Sequence, residues 1–174
     1  MGGGKLVVIV NGKPRAGKDT FAQLLNQYER VYKISSIDKI KQIAIDCGWT
    51  GKKTEKDRKF LSDLKMLVSD YSDVIFDGML EKVMDFYSDE IHERIMVIDI
   101  REPEEIERAK TIFDAITLFI KNDNVEDITS NEADANVENY EYDYYITNNG
   151  TIEEFDQNIM NFYYSVLLKL IRGI

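Results

Sequence analysis

The chain has 174 residues, a single cysteine and a formal net charge of −10, with 44% apolar and 31% charged residues. That length suits one domain with a full core, and the lone Cys47 excludes a disulfide framework. The acidic balance argues against a surface that coats a nucleic-acid polymer, whose phosphates require a basic footprint, but not against a nucleotide held in a local basic pocket. No apolar run reaches membrane-spanning length. Leu6–Val10 is too short for a signal-peptide core, and Leu6 stands where a myristoylation motif after Met1-Gly2 needs Ser or Thr. The expected setting is reducing and cytoplasmic, with no membrane partner. The sequence leaves a homodimer open.

Taken in chain order, Leu6-Val7-Val8-Ile9-Val10 reads as a buried strand. It runs into Gly12-Lys13-Pro14-Arg15-Ala16-Gly17-Lys18, which fits the G-x-x-x-x-G-K frame of a phosphate-binding loop. Glycines let successive backbone N–H groups turn inward and form an anion-sized nest. A helix starting near Gly17 adds unsatisfied N–H groups and the positive end of its dipole, and Lys18 adds a point charge for the outer phosphates. The residue after the lysine is usually Ser or Thr, a magnesium ligand; here it is Asp19. Phe21, Leu24, Leu25 and Tyr28 then follow at helical spacing on one face.

Val31–Ser35 reads as a second strand. Ser35 or Ser36 is expected to cap a helix with Ile37, Ile40, Ala44 and Cys47 on one side, stopped at Gly48. Thr54 and Asp57 resemble a capping box before a helix with Phe60, Leu61, Leu64, Val68 and Tyr71. After a break at Ser72-Asp73, a further helix carries Val74, Ile75, Met79, Val83, Phe86 and Tyr87. Residues 36–93 thus form a helical insertion without strand signal. Ile95–Ile100 is a strong strand, Pro103 opens a short helix over 104–110, and Ala115–Ile120 is another strand. A polar stretch lacking periodicity follows from Lys121. Tyr142–Thr147 is the last strand, Asn148-Asn149-Gly150 a turn, and Thr151 the cap of a long helix with Ile152, Phe155, Ile159, Phe162, Tyr163, Val166, Leu167 and Leu170 on its apolar face.

Strands alternating with helical crossovers predict an α/β fold in one domain over 1–174: a five-stranded parallel sheet with helices on both faces. Ligands then collect at the carboxyl ends of the strands. That edge gathers the glycine loop, Ser35–Asp38, Asp99–Arg101, Lys121 and Asn148–Gly150. Asp99 ends an apolar run, the arrangement in which an acidic residue faces the magnesium of a bound nucleotide. Strand alternation would put Arg101 on the same face; a strand-end salt bridge is the plainer alternative. Asp38, Lys39 and Lys41 are either a solvated first helical turn or acceptor contacts. Arg58, with Lys56 and Lys59, is either a surface pair or a bidentate phosphate ligand. His92 reads as a surface residue near a helix end, so no zinc site or Ser/His/Asp constellation is expected. The aromatic run Tyr140–Tyr145 reads as core packing rather than base stacking.

The loop Gly12–Thr20, with its G-K-D-T ending, resembles that of the deoxynucleoside monophosphate kinases of phages and their relatives, within the nucleoside monophosphate kinase superfamily. Further blocks are similar in order: Ser36–Lys41, Thr54–Leu61, Asp99-Ile100-Arg101 with Glu105, and Ile146–Phe155. The last block also occurs in dephospho-CoA kinases. The resemblance implies a three-layer P-loop NTPase fold in which 36–93 is the acceptor-binding insertion and 121–140 a lid-like loop. It implies ATP as donor with Mg2+, and a small phosphorylated acceptor, foremost a (deoxy)nucleoside monophosphate. Gly12, Lys13, Arg15, Ala16, Gly17, Lys18, Asp19 and Thr20 would hold the donor phosphates. Asp19 and Asp99 would hold the metal. Ser36, Asp38, Lys41, Arg58 and Arg101 would face the acceptor, and Asn148, Asn149 and Gly150 the adenine. Lys18, Asp99 and Arg101 would be the catalytic groups. One departure stands out. Such kinases usually carry lid arginines, whereas between Thr111 and Leu168 the only basic residue is Lys121; a clamp would have to come from Arg15, Arg101 or Arg108. A dephospho-CoA kinase and a non-catalytic nucleotide-binding or sensing protein remain as alternatives.

Overall fold

The structure is a computed structural model that describes residues 4–88, 92–125 and 139–174. Most of the predicted lid-like loop, 126–138, lies outside the described residues.

Five strands form one parallel sheet: β1 (Leu6–Asn11), β2 (Val31–Ser35), β3 (Ile95–Asp99), β4 (Ile116–Lys121) and β5 (Tyr144–Thr147), in the order β2-β3-β1-β4-β5. β1 is central and buried along its whole length. A run of β-branched residues suits that place, because a strand covered on both faces needs apolar side chains at every position. The register pairs Val10 with Asp99 and Ser35 with Asp99, so the carboxyl ends of β1, β2 and β3 finish level.

Strand alternation divides the core in two. Val8, Val10, Val97, Leu118 and Ile120 pack on one side against α1 (Lys18–Leu25) and α6 (Ile152–Phe162), through Phe21, Leu25, Phe155 and Ile159. Val7, Ile9, Met96, Ile98 and Phe119 pack on the other against α4 (Val74–Tyr87) and α5 (Pro103–Phe113), through Phe76, Met79, Val83, Ile106 and Phe113. Burying each of these large side chains contributes about 1.5–3 kcal/mol of transfer free energy.

The insertion holds α2 (Asp38–Asp46), α3 (Glu55–Tyr71) and α4, with no strand among its described residues. The Thr54–Asp57 capping box is formed in both directions. The expected serine cap of α2 is not: Ile37 occupies the cap position without a side-chain bond, and the Asp38 carboxylate instead accepts from the Ser35 N–H at 2.9 Å. Cys47 is exposed, while Ile40 and Ala44 are buried. α3 buries none of its residues; its apolar positions are half-buried or exposed, and Tyr71 is 91% exposed.

β1, β3 and β4 differ from expectation by a single residue at one or both ends; three other boundaries move further. α5 runs on to Phe113, whose buried ring extends the apolar face, and ends where Asp114 adopts a left-handed conformation. β5 begins only at Tyr144. The terminal helix passes through a π turn at Tyr163–Leu167 before α7 (Leu168–Arg172).

Candidate phosphate-binding site

The loop between β1 and α1 has the backbone its sequence requires. Gly12 and Gly17 lie at φ +154° and +107°, and Arg15 joins them at φ +68°. A Cβ on Gly12 would sit 2.6 Å from the Ile120 carbonyl, and one on Gly17 2.5 Å from the Asn148 amide nitrogen. Both positions therefore demand glycine twice over, for conformation and for space. Gly17 takes the cap position of α1 with no side-chain bond there, so no cap side chain covers the positive end of the helix.

Lys18 opens α1 yet is only 8% exposed. Its ammonium curls back to donate to the carbonyls of Gly12 at 2.6 Å and Lys13 at 3.1 Å. Ala16 is buried, and its N–H closes a turn on the Lys13 carbonyl. From the far side of the sheet, Asn148 donates through Nδ2 to the Ala16 carbonyl at 2.9 Å, while its own N–H bonds the Lys121 carbonyl. Asn149 is bonded to Asp123 and Asn124. Gly150 lies against the Glu154 carboxylate, which accepts from the Thr151 N–H. The side chains at 148 and 149 thus tie this corner to the loop and to the end of β4.

Sequence reasoning missed Asn11. It is fully buried, and its Nδ2 donates to the Tyr142 hydroxyl at 2.8 Å and the Arg101 carbonyl at 3.1 Å. Its Oδ1 accepts from the Gly12 N–H at 2.8 Å. A buried polar residue ending an apolar strand was the available signal. The aromatic run is only partly core: Tyr142 is buried, with its phenol pushed up to about 12 by burial, but Tyr145 is 59% exposed.

Asp99 lies at the end of β3 on the side of Val97, which is the α1 side. Its Oδ1 is buried and has no hydrogen-bond partner among the described residues. A buried carboxylate oxygen in that condition calls for a donor or a cation. Asp19, in the first turn of α1, is 83% exposed at its side chain and forms an ion pair with Lys33 of β2. That hydrogen bond, with the charges of Lys33, Lys18 and Lys53, holds the Asp19 carboxyl below the usual range against the effect of burial. Magnesium held with nucleotide phosphates needs only one or two carboxylates, and Asp19 and Asp99 are each of that chemical type. Among the described residues no group of three or more acidic, His or Cys side chains forms a complete cage.

The residues expected to face an acceptor are only partly brought together. Ser36 is buried, and its N–H bonds the Asp99 carbonyl at 3.0 Å. Asp38 pairs with Lys41 at 3.0 Å and with Lys82 at 3.6 Å. Burial opposes its ionisation, but the Ser35 N–H and the two lysines outweigh that and keep its carboxyl below the usual range. Arg101 is half-buried but lies past the end of β3, so the strand alternation expected to align it with Asp99 does not extend that far. Arg58 and Thr20 lie in the opening turns of α3 and α1, exposed and half-buried respectively. Arg108 is no clamp: it makes a bidentate pair with Asp73 at 2.9 and 3.2 Å and stacks 3.8 Å over Phe76. Lys121, exposed, pairs with Asp123 at 3.2 Å.

No protein-family model matches the chain, and no curated protein matches it in sequence. Solved structures do match. TT1252 from Thermus thermophilus superposes with a TM-score of 0.54 at 12% identity, covering 94% of this chain and 98% of its own. The dephospho-CoA kinase from Campylobacter jejuni superposes with a TM-score of 0.51 at 18% identity, covering 96% of this chain and 98% of its own. The chain therefore has the α/β fold found in a P-loop kinase, across nearly its whole length.

Proposed function

We propose that the chain is an ATP-dependent phosphotransferase acting on a small phosphorylated acceptor, foremost a (deoxy)nucleoside monophosphate. The observation that carries this reading is the glycine loop: backbone bent at Gly12, Arg15 and Gly17, buried Lys18 at its centre, and an uncapped helix start beside it. In this reading backbone amides between Lys13 and Thr20 and the Lys18 ammonium hold the donor phosphates, apart from Pro14, which has no N–H, and Ala16, whose N–H bonds the Lys13 carbonyl; the Gly12 N–H is held by Asn11. Asp99 and Asp19 hold the magnesium that accompanies ATP; that ion neutralises charge on the transferring group. The acceptor phosphate is itself a nucleophile, so these residues need only align the two phosphates and exclude water. Lys41, Arg58 and Arg101 supply positive charge on the acceptor side, and the loops at Asn148–Gly150 flank the base of the donor. No helix among the described residues is long and apolar enough to cross a membrane.

A second reading is favoured by the dephospho-CoA kinase likeness: the same donor site with a dephospho-CoA acceptor. Coupled ADP-release assays over a panel of ribo- and deoxyribonucleoside monophosphates and dephospho-CoA separate the two. Turnover with a monophosphate, abolished in Lys18→Ala with the fold retained, is the expected result. ATP binding without transfer to any acceptor in the panel would overturn it in favour of a nucleotide sensor.

A further inference from the structure

We infer that Lys33 is the built-in counter-ion of Asp19, and that it sets how far nucleotide binding depends on a divalent cation. The inference rests on the donor-site reading above.

Asp19 stands where a phosphate loop normally carries a neutral hydroxyl. A carboxylate at the mouth of an anion nest repels the ligand the nest is built for. The chain answers this from another strand. Lys33 lies in β2, whose neighbouring residue Ile34 packs into the core on the α4 side; alternation therefore turns Lys33 toward α1. Its ammonium meets the Asp19 carboxylate, and its side chain is 30% exposed, partly sheltered where it crosses. The other nearby cations are not equivalent. Lys18 is bonded to the carbonyls of Gly12 and Lys13, and Lys53 reaches Asp19 by charge alone.

Lys33 and a magnesium ion therefore compete for one carboxylate. Without the ion, Lys33 keeps Asp19 neutralised and the nest accepts a metal-free polyphosphate. With the ion, Asp19 would exchange Lys33 for the metal; Asp99, whose Oδ1 has no hydrogen-bond partner among the described residues, is the other carboxylate the reading above assigns to it. Removing Lys33 must weaken metal-free binding and spare or strengthen metal-assisted binding, because the competitor for Asp19 is gone.

Calorimetric titration of the full chain with ADP, once in EDTA and once in excess Mg2+, tests this without any turnover. The ratio of the two affinities should rise about tenfold in Lys33→Met, within the usual range of coupling between two sites. Asp19→Asn/Lys33→Met should bring the ratio back to the wild-type value or below it, and Lys33→Arg should leave it unchanged. Lys33→Gln, which keeps a polar end on an uncharged side chain, serves if the Met variant loses its circular-dichroism signature. An unchanged ratio, or equal losses in EDTA and in Mg2+, overturns the counter-ion role while leaving the donor site intact. Absence of ADP binding by the wild type in both buffers overturns the donor-site reading, and this inference with it.

Discussion

Asn11 and Tyr142 meet 2.8 Å apart, amide to phenol, inside the protein and 131 residues apart in sequence. The same Asn11 amide holds the Arg101 carbonyl, and its oxygen holds the first N–H of the glycine loop. One side chain thus joins the exits of β1 and β3 to the approach of β5. Asn11→Ala would remove a hydrogen-bond partner from three polar groups, at about 1–3 kcal/mol for each one left unsatisfied in the interior. We expect a loss of about 3 kcal/mol in urea unfolding, since groups sharing a site do not add fully. Tyr142→Phe removes one partner only and should cost about 1 kcal/mol. Equal stability of Asn11→Ala and wild type would show that this network contributes nothing.

Gly17 fails for two reasons when given a side chain. Its φ of +107° disfavours any L residue, and its Cβ would meet Asn148 Nδ2 at 2.5 Å and the Phe155 ring at 3.3 Å. Gly17→Ala should therefore weaken ATP binding by more than about tenfold, the effect of even ~1.4 kcal/mol. Asn148→Ala in the same chain opens the space but not the dihedral, so it should restore only part. Full recovery in the double variant, read by calorimetry, would assign the whole defect to the clash.

Lys65 anchors α3 to the start of α5. Its ammonium donates to Glu102 at 2.7 Å and Glu105 at 2.9 Å, and the lysine side chain is only 16% exposed. Those two carboxylates hold the Lys65 pKa above its usual value although burial works the other way. Lys65→Met leaves the carboxylates facing each other without a cation, a defect of about 3 kcal/mol when such a pair is buried. Amide hydrogen exchange should quicken in α3 and around Glu102–Glu105, and far less in β1 and β3. Uniform quickening across the sheet would mean that the lysine supports the whole domain.

Acid should act through Asp143 and Asp38. Burial raises the Asp143 pKa, but Lys110 at 2.7 Å and the amide and hydroxyl of Thr117 outweigh it, so the folded value lies below the unfolded 3.8. A depressed carboxyl pKa stabilises the fold above the unfolded value and loses that contribution as pH falls through the folded one. The urea midpoint should therefore drop as pH falls below about 4. Asp143→Asn should be less stable at pH 7 and show a shallower drop. A midpoint that does not move between pH 5 and 3 would contradict the assignment.

The elements whose cause is local were legible in the residue string. β1 and β3 carry unbroken apolar runs and β4 one interrupted only by Thr117, the Thr54 and Thr151 caps lie three residues from their partners, and the Gly12–Lys18 frame lies within seven residues. What the string concealed depends on residues far apart. Asn11 looks like an ordinary strand end until Tyr142 and Arg101 are beside it. Arg108 looks like a spare guanidinium until Asp73 takes it. Lys33 looks like a solvent-facing strand residue until α1 delivers Asp19 to it. The expected Ser35/Ser36 cap is missing because the Ser35 hydroxyl receives only a long bond, 3.5 Å from the Ile37 N–H, before the helix begins. The π turn in the last helix has no sequence mark that separates it from a continuous α-helix.

α3 is the one long helix of the insertion that gives no residue to the core. Altering its exposed face therefore leaves the sheet and its glycine loop almost untouched, since surface substitutions seldom shift stability by more than about 0.5 kcal/mol. Lys65, tied to Glu102 and Glu105, is the exception on this helix. In the reading proposed above, in which the insertion faces the acceptor, substitutions on the exposed face of α3 should change what the protein acts on before they change whether it folds.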